Sequence, residues 1–322
     1  MKIGVFFQTW SSHWASSNLD LGEISTEVDR VYLAFASPQS TYTLGQKTFA
    51  GTGMDFSSDF GVVKNAIDKL HMRNVEVIVS VGGATYPFDH YNAQAAADLC
   101  TDLNCDGLDL DWEPVGGFQE SAQLALIIQD YKNVIPTKKL FVTGWSTGAF
   151  PPNGDAYQGM NIYGLVQKGG LVDGVNIMAY DAGTQYDPKA ALLAYRKIYN
   201  GPISLGFQVG QQSWGGAVLT QEQADDWARF TIEENPNNSV FIWSYQKPAD
   251  FDAQDLIVIA DNINPTVTAT TATVTIVETT TATATATATT SIPFPTIPTL
   301  ESSSITNYIH IIFYVILLIN MR

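Results

Sequence analysis

The chain is 322 residues long, and its 32 acids against 16 Lys and Arg leave a formal charge of −16 at neutral pH. That excess argues against nucleic acid as a partner, because phosphates are held by clustered cations, while a neutral polymer escapes the objection. Only two cysteines occur, Cys100 and Cys105; a short disulfide and a pair of reduced buried thiols both fit their spacing, and they lack the companions of a structural zinc site. Short β-rich apolar runs recur about every 30 residues, the period of a strand, a crossover helix and their loops. In chain order the runs are Lys2 to Gln8, Val31 to Ala36, Val75 to Val81, Gly107 to Trp112, Leu140 to Gly144, Gly174 to Ala179, Ile203 to Gln208 and Val240 to Ser244. Helical patterns lie between them, clearest over Phe60 to Met72, Gln119 to Val134, Pro188 to Tyr199 and Gln221 to Glu234, the last opened by Thr220 as a cap. This alternation predicts an α/β fold, a closed (β/α)8 TIM barrel over residues 1–262, in keeping with the roughly 250 residues such a barrel takes.

Within the fourth run, Asp106-Gly107-Leu108-Asp109-Leu110-Asp111-Trp112-Glu113, side chains two apart share a face. Asp109, Asp111 and Glu113 therefore stand on one side, and Leu108, Leu110 and Trp112 on the other. Same-face neighbours are separated by about 6 to 7 Å, so the acids cannot all ionise freely in a partly dry site, and their proton affinities are pushed apart. Two carboxyl groups with separated affinities are what cleavage of a glycosidic bond requires, since one must protonate the leaving oxygen. A solvated acidic edge and a metal site are the alternatives, although calcium loops of the EF-hand type need a central glycine and loop geometry. Pro114 follows Glu113 and cannot continue a ladder, so Glu113 closes the strand at the barrel's C-terminal end, where such folds carry their chemistry.

This segment resembles the Asp-x-x-Asp-x-Asp-x-Glu signature of family 18 glycoside hydrolases, the chitinase family. Ser80-Val81-Gly82-Gly83 is similar to the family's Ser-x-Gly-Gly element after strand three, Met178-Ala179-Tyr180-Asp181 to its Met-x-Tyr-Asp element after strand six, and Trp243 to its strand-eight tryptophan. The resemblance runs over roughly residues 1–260 and joins several motifs in order, which makes it far more specific than any single piece. It implies an enzyme that cleaves β-1,4 N-acetylglucosamine linkages with retention, the substrate's own acetamido oxygen acting as nucleophile. Glu113 would be the general acid and later the base; Asp111 would hold the acetamido nitrogen, Tyr180 would aim the acetamido oxygen, and Asp109 would share a proton with Asp111. For substrate binding the resemblance and the strand ends point to Trp243, Asp181, Met178, Trp10, Trp145, Ser80, Gly82 and Gly83. Trp14 and Trp214 also follow strand ends, whereas Trp227 is mid-helix and expected in the core. Asp106 fits a plain strand anchor. Asn176 departs from the family, many of whose members carry Gln there.

About 30 residues separate the seventh and eighth runs, room for one helix and its loops. The cleft is thus expected to be an open groove suited to internal cleavage of chitin. Rival readings are an endo-β-N-acetylglucosaminidase acting on N-glycans, disfavoured by Trp112 where those relatives often carry an acid; a non-catalytic chitin-binding lectin, disfavoured because Glu113 is retained; and a cell-surface adhesive protein whose stalk matters most. No metal and no cofactor are expected, and the barrel is expected to be a monomer.

Composition changes after Pro265, where residues 266–290 contain fourteen Thr. Residues 263–304 are expected to form a low-complexity Thr/Ala/Ser/Pro stalk, and 305–322 a hydrophobic tail. That tail is short of the roughly 20 residues that span a bilayer and resembles a lipid-anchor signal or a short membrane anchor. Extracellular or cell-surface placement follows as an expectation, although no signal peptide is visible before the first strand. Asn237-Asn238-Ser239 is a glycosylation sequon.

Overall fold

The computed structural model of the chain describes residues 1–10, 19–113, 121–150, 162, 164–182, 186–208 and 219–245. All of these lie in a compact unit, Met1–Thr268; a second unit, Ala269–Arg322, falls outside the described residues, as do all of the expected stalk and the tail. Among the described residues no helix is long and apolar enough to cross a membrane.

Eight parallel strands close into a barrel in sequence order: β1 Lys2–Gln8, β2 Arg30–Ala36, β3 Glu76–Gly82, β4 Gly107–Trp112, β5 Lys139–Trp145, β6 Gly174–Met178, β7 Ile203–Gln208 and β8 Ser239–Trp243. The described helices are α1 Leu19–Gly22, α2 Phe60–Met72, α3 Ala93–Asp102, α4 Ser121–Val134, α5 Gly164–Lys168, α6 Pro188–Arg196 and α7 Gln221–Glu234. Each expected run became a strand. Helix α7 starts where Thr220 and Gln223 bond each other's backbone in a capping box. Helix α6 ends at Arg196 rather than Tyr199, because the Arg196 guanidinium turns back onto the carbonyls of Tyr199 and Gly201 and directs the chain toward Pro202. The expected start of α4 at Gln119 lies outside the described residues.

Alternating side chains divide the apolar residues into two cores. Outward positions of the strands pack with the helices, as with Leu108, Leu110 and Trp112, all at most 1% exposed. Trp227 joins this layer by packing on Phe207. Inward positions form a smaller cluster in which Phe6, Tyr32, Ile78, Phe141 and Phe241 fill the barrel. Those rings fit because Gly174 and Gly206 face them; a Cβ there would stand 2.8 Å from Phe141 and 2.3 Å from Phe241.

The N-terminal mouth repeats one device four times. The residue just before each even-numbered strand, Asp29, Asp106, Asp173 or Asn238, accepts a backbone N–H from the start of the preceding strand: Ile3 at 2.7 Å, Val77 at 2.7 Å, Leu140 at 2.9 Å and Ile203 at 2.9 Å. Buried backbone donors at the barrel end are thereby satisfied without water. Asp106 also meets His71 of α2 at 3.0 Å, so it anchors the foot of β4 and stands at the opposite end of that strand from Glu113.

Candidate active site

Strand β4 supplies the acids because its period of two turns Asp109 and Asp111 into the barrel while its leucines and Trp112 are clamped by the helical layer. Asp109 and Asp111 are 0% and 2% exposed; Glu113, one residue past the strand, reaches the cleft. The turn after β3 brings a donor to it. Gly82 and Gly83 have φ of 111° and 82°, and the Gly83 N–H bonds the Asp111 carbonyl at 3.0 Å. A Cβ on Gly82 would stand 2.3 Å from that carbonyl and one on Gly83 2.8 Å from the Phe35 ring, so only glycine permits this approach. The next residue, Ala84, then directs its N–H at the Glu113 carboxylate. A second donor comes from the end of β5, where Trp145 Nε1 donates to Glu113 Oε2 at 2.8 Å.

The floor beneath is a dense polar layer. Asp109 accepts from Ser80 Oγ at 2.6 Å and Thr143 Oγ1 at 2.8 Å, with Asn176 Nδ2 at 3.5 Å. Asn176 also donates to Thr143 Oγ1 at 2.9 Å and accepts from the Tyr32 hydroxyl at 3.1 Å. Burial pushes the Asp109 carboxyl up to about 6, held back by its donors Ser80 and Thr143, by the Arg30 charge and by Asn176. Asp111 goes well above the ordinary range because it is buried and faces the charges of Glu113 and Asp109; its Oδ1 has no hydrogen-bond partner among the described residues. Glu113 is raised by burial, against the N–H groups of Trp145 and Ala84, which favour its ionised form. The three acids thus differ in environment: Asp109 is surrounded by donors, Asp111 has an unpaired oxygen, and Glu113 is held by two N–H groups at the cleft.

A cavity of about 980 Å³ opens over this layer, lined by Asp111, Glu113, Tyr180, Asp181, Met178 and Trp243 together with Trp10 and Trp145. Burial raises the Tyr180 phenol well above its ordinary value, and the charges of Asp111 and Glu113, which line the same cavity, add to the effect. Asp181 holds a left-handed backbone, φ 54°, at the turn away from β6. Trp243 stacks on Phe35 at 5.7 Å and Phe35 on Trp10 at 5.8 Å, making one aromatic wall. Such a wall suits the C–H faces of a sugar ring.

Residues 2–248 match the family described as glycosyl hydrolases family 18. The chain belongs to glycosyl hydrolase family 18. Its (β/α)8 barrel is shared with a GH18 chitinase from Pseudoalteromonas aurantia, at TM-score 0.60 and 17% identity over 81% of this chain and 100% of that one. A fungal endo-β-N-acetylglucosaminidase of the family superposes at TM-score 0.60 and 16% identity over 83% of this chain and 99% of that one. By sequence, Chitinase 1 of Aphanocladium album is 23% identical over 207 residues, 55% of this chain and 47% of that protein. The family 18 chain therefore spans about half the length of this curated relative.

Of the residues expected at the family 18 site, Ser80, Gly82, Gly83 and Asp109 do not line the cavity. Ser80 points at Asp109 and the glycines shape the turn, so these four stand behind the groups that face the cleft. Trp145, expected only as a sugar platform, is also bonded to Glu113. Trp14 and Trp214 lie outside the described residues. Sequence reasoning missed Phe6, Phe35, Asp55 and Tyr86 in the lining. It also missed Thr143, although an inward hydroxyl in register with Asp111 was readable once β5 was placed. Cys100 and Cys105 are both buried free thiols. Among the described residues no group of three or more His, Cys, Asp or Glu side chains is arranged to hold a metal ion.

Proposed function

We propose that this family 18 protein is an endo-acting chitinase, hydrolysing β-1,4 links between N-acetylglucosamine units with retention through an oxazolinium intermediate. The observation that carries the reading is that Glu113, Asp111 and Tyr180 meet in one cavity walled by Trp243. Glu113, with raised proton affinity, protonates the glycosidic oxygen as the acetamido oxygen attacks the anomeric carbon. The two N–H donors on Glu113 stabilise the carboxylate left behind, and the same carboxylate then accepts a proton from the attacking water. Asp111 holds the acetamido N–H and balances the positive charge of the ring, while the Tyr180 hydroxyl aims the acetamido oxygen. Trp243, Met178, Asp181, Trp10 and Trp145 contact the sugar chain.

Internal cleavage is supported by the short β7 to β8 connection, whose length has room for one helix, α7, and its loops. The expected stalk and apolar tail support attachment at the cell surface, with chitin as the partner and the barrel acting as a monomer. A second reading, trimming of N-glycans, draws on the equal structural likeness to the fungal endo-β-N-acetylglucosaminidase. The test measures soluble oligosaccharides released from chitin and from a glycoprotein by the wild type and Glu113→Gln. The substitution should lower kcat on chitin by about 10²-fold or more. Equal rates for the two proteins would remove Glu113 from its role, and release from the glycoprotein alone would select the second reading.

A further inference from the structure

The floor of the barrel, on the side away from the cleft, carries a partly buried charge cluster that the reaction as described does not use. Glu76 at the foot of β3 accepts from Arg30 Nε at 2.8 Å and Nη2 at 2.6 Å, and from Lys139 Nζ. Arg30 is 12% exposed and Glu76 21% in their side chains. The Glu76 carboxyl, though partly buried, is drawn down to about 2, chiefly by the Arg30 charge and the Lys139 bond. It is therefore ionised whenever the protein is folded at ordinary pH. With Lys2 Nζ at 3.8 Å as well, three cations face one carboxylate and leave a net positive charge at the base of the barrel. The Phe141 ring lies 4.2 Å from the guanidinium carbon and keeps water from the inward side of Arg30. Phe141 is also the strand-register partner of Asp109.

From this charge a chain of hydrogen bonds rises in one direction. Arg30 Nη1 donates to the Tyr32 hydroxyl at 3.3 Å, Tyr32 donates to Asn176 Oδ1 at 3.1 Å, and Asn176 Nδ2 donates to Thr143 Oγ1 at 2.9 Å. Thr143 in turn donates to Asp109 Oδ1 at 2.8 Å. Every member passes a donor upward, and the last acceptor is the fully buried carboxyl group next to Asp111. A buried carboxylate far from solvent requires such a supply of donors and an opposite charge.

We propose that Arg30 is a positioning residue for the catalytic acids: acting through Tyr32, Asn176 and Thr143, it keeps the Asp109 and Asp111 pair carrying a single proton. The two acids behave as a coupled pair whose protons come off in two steps. The working state retains one proton and one negative charge, so that Asp111 can both hold the acetamido group and balance the oxazolinium. Uptake of a second proton ends that state. Groups facing Asp109 are Arg30 and Tyr32 from β2, Ser80 and, lower down, Glu76 from β3, Asp111 and Glu113 from β4, Thr143 and, lower down, Lys139 from β5, and Asn176 and Tyr180 from β6. The Arg30 charge is among the influences that lower Asp109's proton affinity. The Asn176 side chain is shorter than the Gln common in relatives, and here it is committed to this chain of bonds rather than to the cavity lining.

The inference rests on the proposed hydrolase reading, and the experiment separates the two. In the full-length protein, Arg30→Met and Tyr32→Phe are compared with wild type by the pH profile of kcat/KM on soluble chitin oligosaccharides. In parallel, the Asp109 side-chain carboxyl is followed by ¹³C NMR titration, which needs no turnover. Arg30→Met should move the acid limb and the Asp109 midpoint upward by about one pH unit, and Tyr32→Phe should move them the same way by less. Tyr32→Phe keeps the ring stacked on Phe6 at 4.7 Å and covers the case in which Arg30→Met does not fold. Unmoved Asp109 midpoints in the folded variants would overturn the proposal whether or not chitin is cleaved. Absence of cleavage by the wild type, with shifted midpoints, would overturn the hydrolase reading and leave the electrostatic link standing. A merely structural role for Arg30 would lower stability without moving either midpoint.

Discussion

Asp109→Asn replaces a fully buried carboxyl group by a neutral side chain of nearly the same shape, and the structure sets both the sign and the size of the consequence. Burial raises the Asp109 carboxyl from 3.8 to about 6. That is about 2 pH units at about 1.4 kcal/mol each, so ionised Asp109 costs the folded state about 3 kcal/mol. The native protein binds this proton more tightly than the unfolded chain does. The cost is therefore absent below the unfolded value, grows as pH rises between the two values, and is complete above the folded one. Asparagine never ionises, and the Ser80 and Thr143 hydroxyls can rotate to suit its amide. Urea unfolding of the two proteins from about pH 3.5 to 7.5 should show Asp109→Asn gaining about 3 kcal/mol relative to wild type across that window. Asp111 and Glu113 are present in both proteins, and relief of Asp111 by the lost neighbouring charge has the same sign. A difference that stays flat with pH, or a wild type that gains on the variant as pH rises, would show that the donors around Asp109 outweigh its burial and would refute the reasoning. Activity should fall in the same variant although its stability rises, the behaviour of a residue kept for chemistry.

Trp145→Phe keeps an aromatic ring at the cleft and removes the N–H on Glu113 Oε2. Because that bond favours the carboxylate, its loss raises the proton affinity of Glu113, and the basic limb of kcat/KM should move to higher pH; a limb that moves down or not at all would contradict this. Gly83→Ala forces a side chain into φ 82° and against the Phe35 ring, which should cost about 2 kcal/mol or more in chemical denaturation. Asp173→Ala at the opposite mouth removes the acceptor of the Leu140 N–H. It should lower stability by about 1 to 2 kcal/mol while kcat/KM stays within about twofold, since the site lies at the other end of the strands.

Strand number, strand order and the identity of the acid row were legible in the chain because they depend on local rules. A period of two places Asp109 and Asp111 on one face whatever surrounds them, and apolar runs separated by helical patterns leave few topologies open. Thr220 announced its helix, since a capping box is built from residues three apart. The family motifs were short for the same reason: each belongs to one strand and its exit.

Only the tertiary structure decided which face of each strand met which neighbour, and with that the state of each acid. Asp109 and Asp111 are the same residue type two positions apart, yet one is ringed by Ser80, Thr143 and Asn176 from three strands, while the other has an unpartnered oxygen. Trp145 reaches Glu113 only because β5 closes against β4. Ionisation depends on charge, dipoles and water within a few ångströms, and those neighbours are assembled from segments up to 144 positions apart, as between Tyr32 and Asn176. Local pattern wrote the barrel and its row of acids; barrel closure assigned each acid its proton.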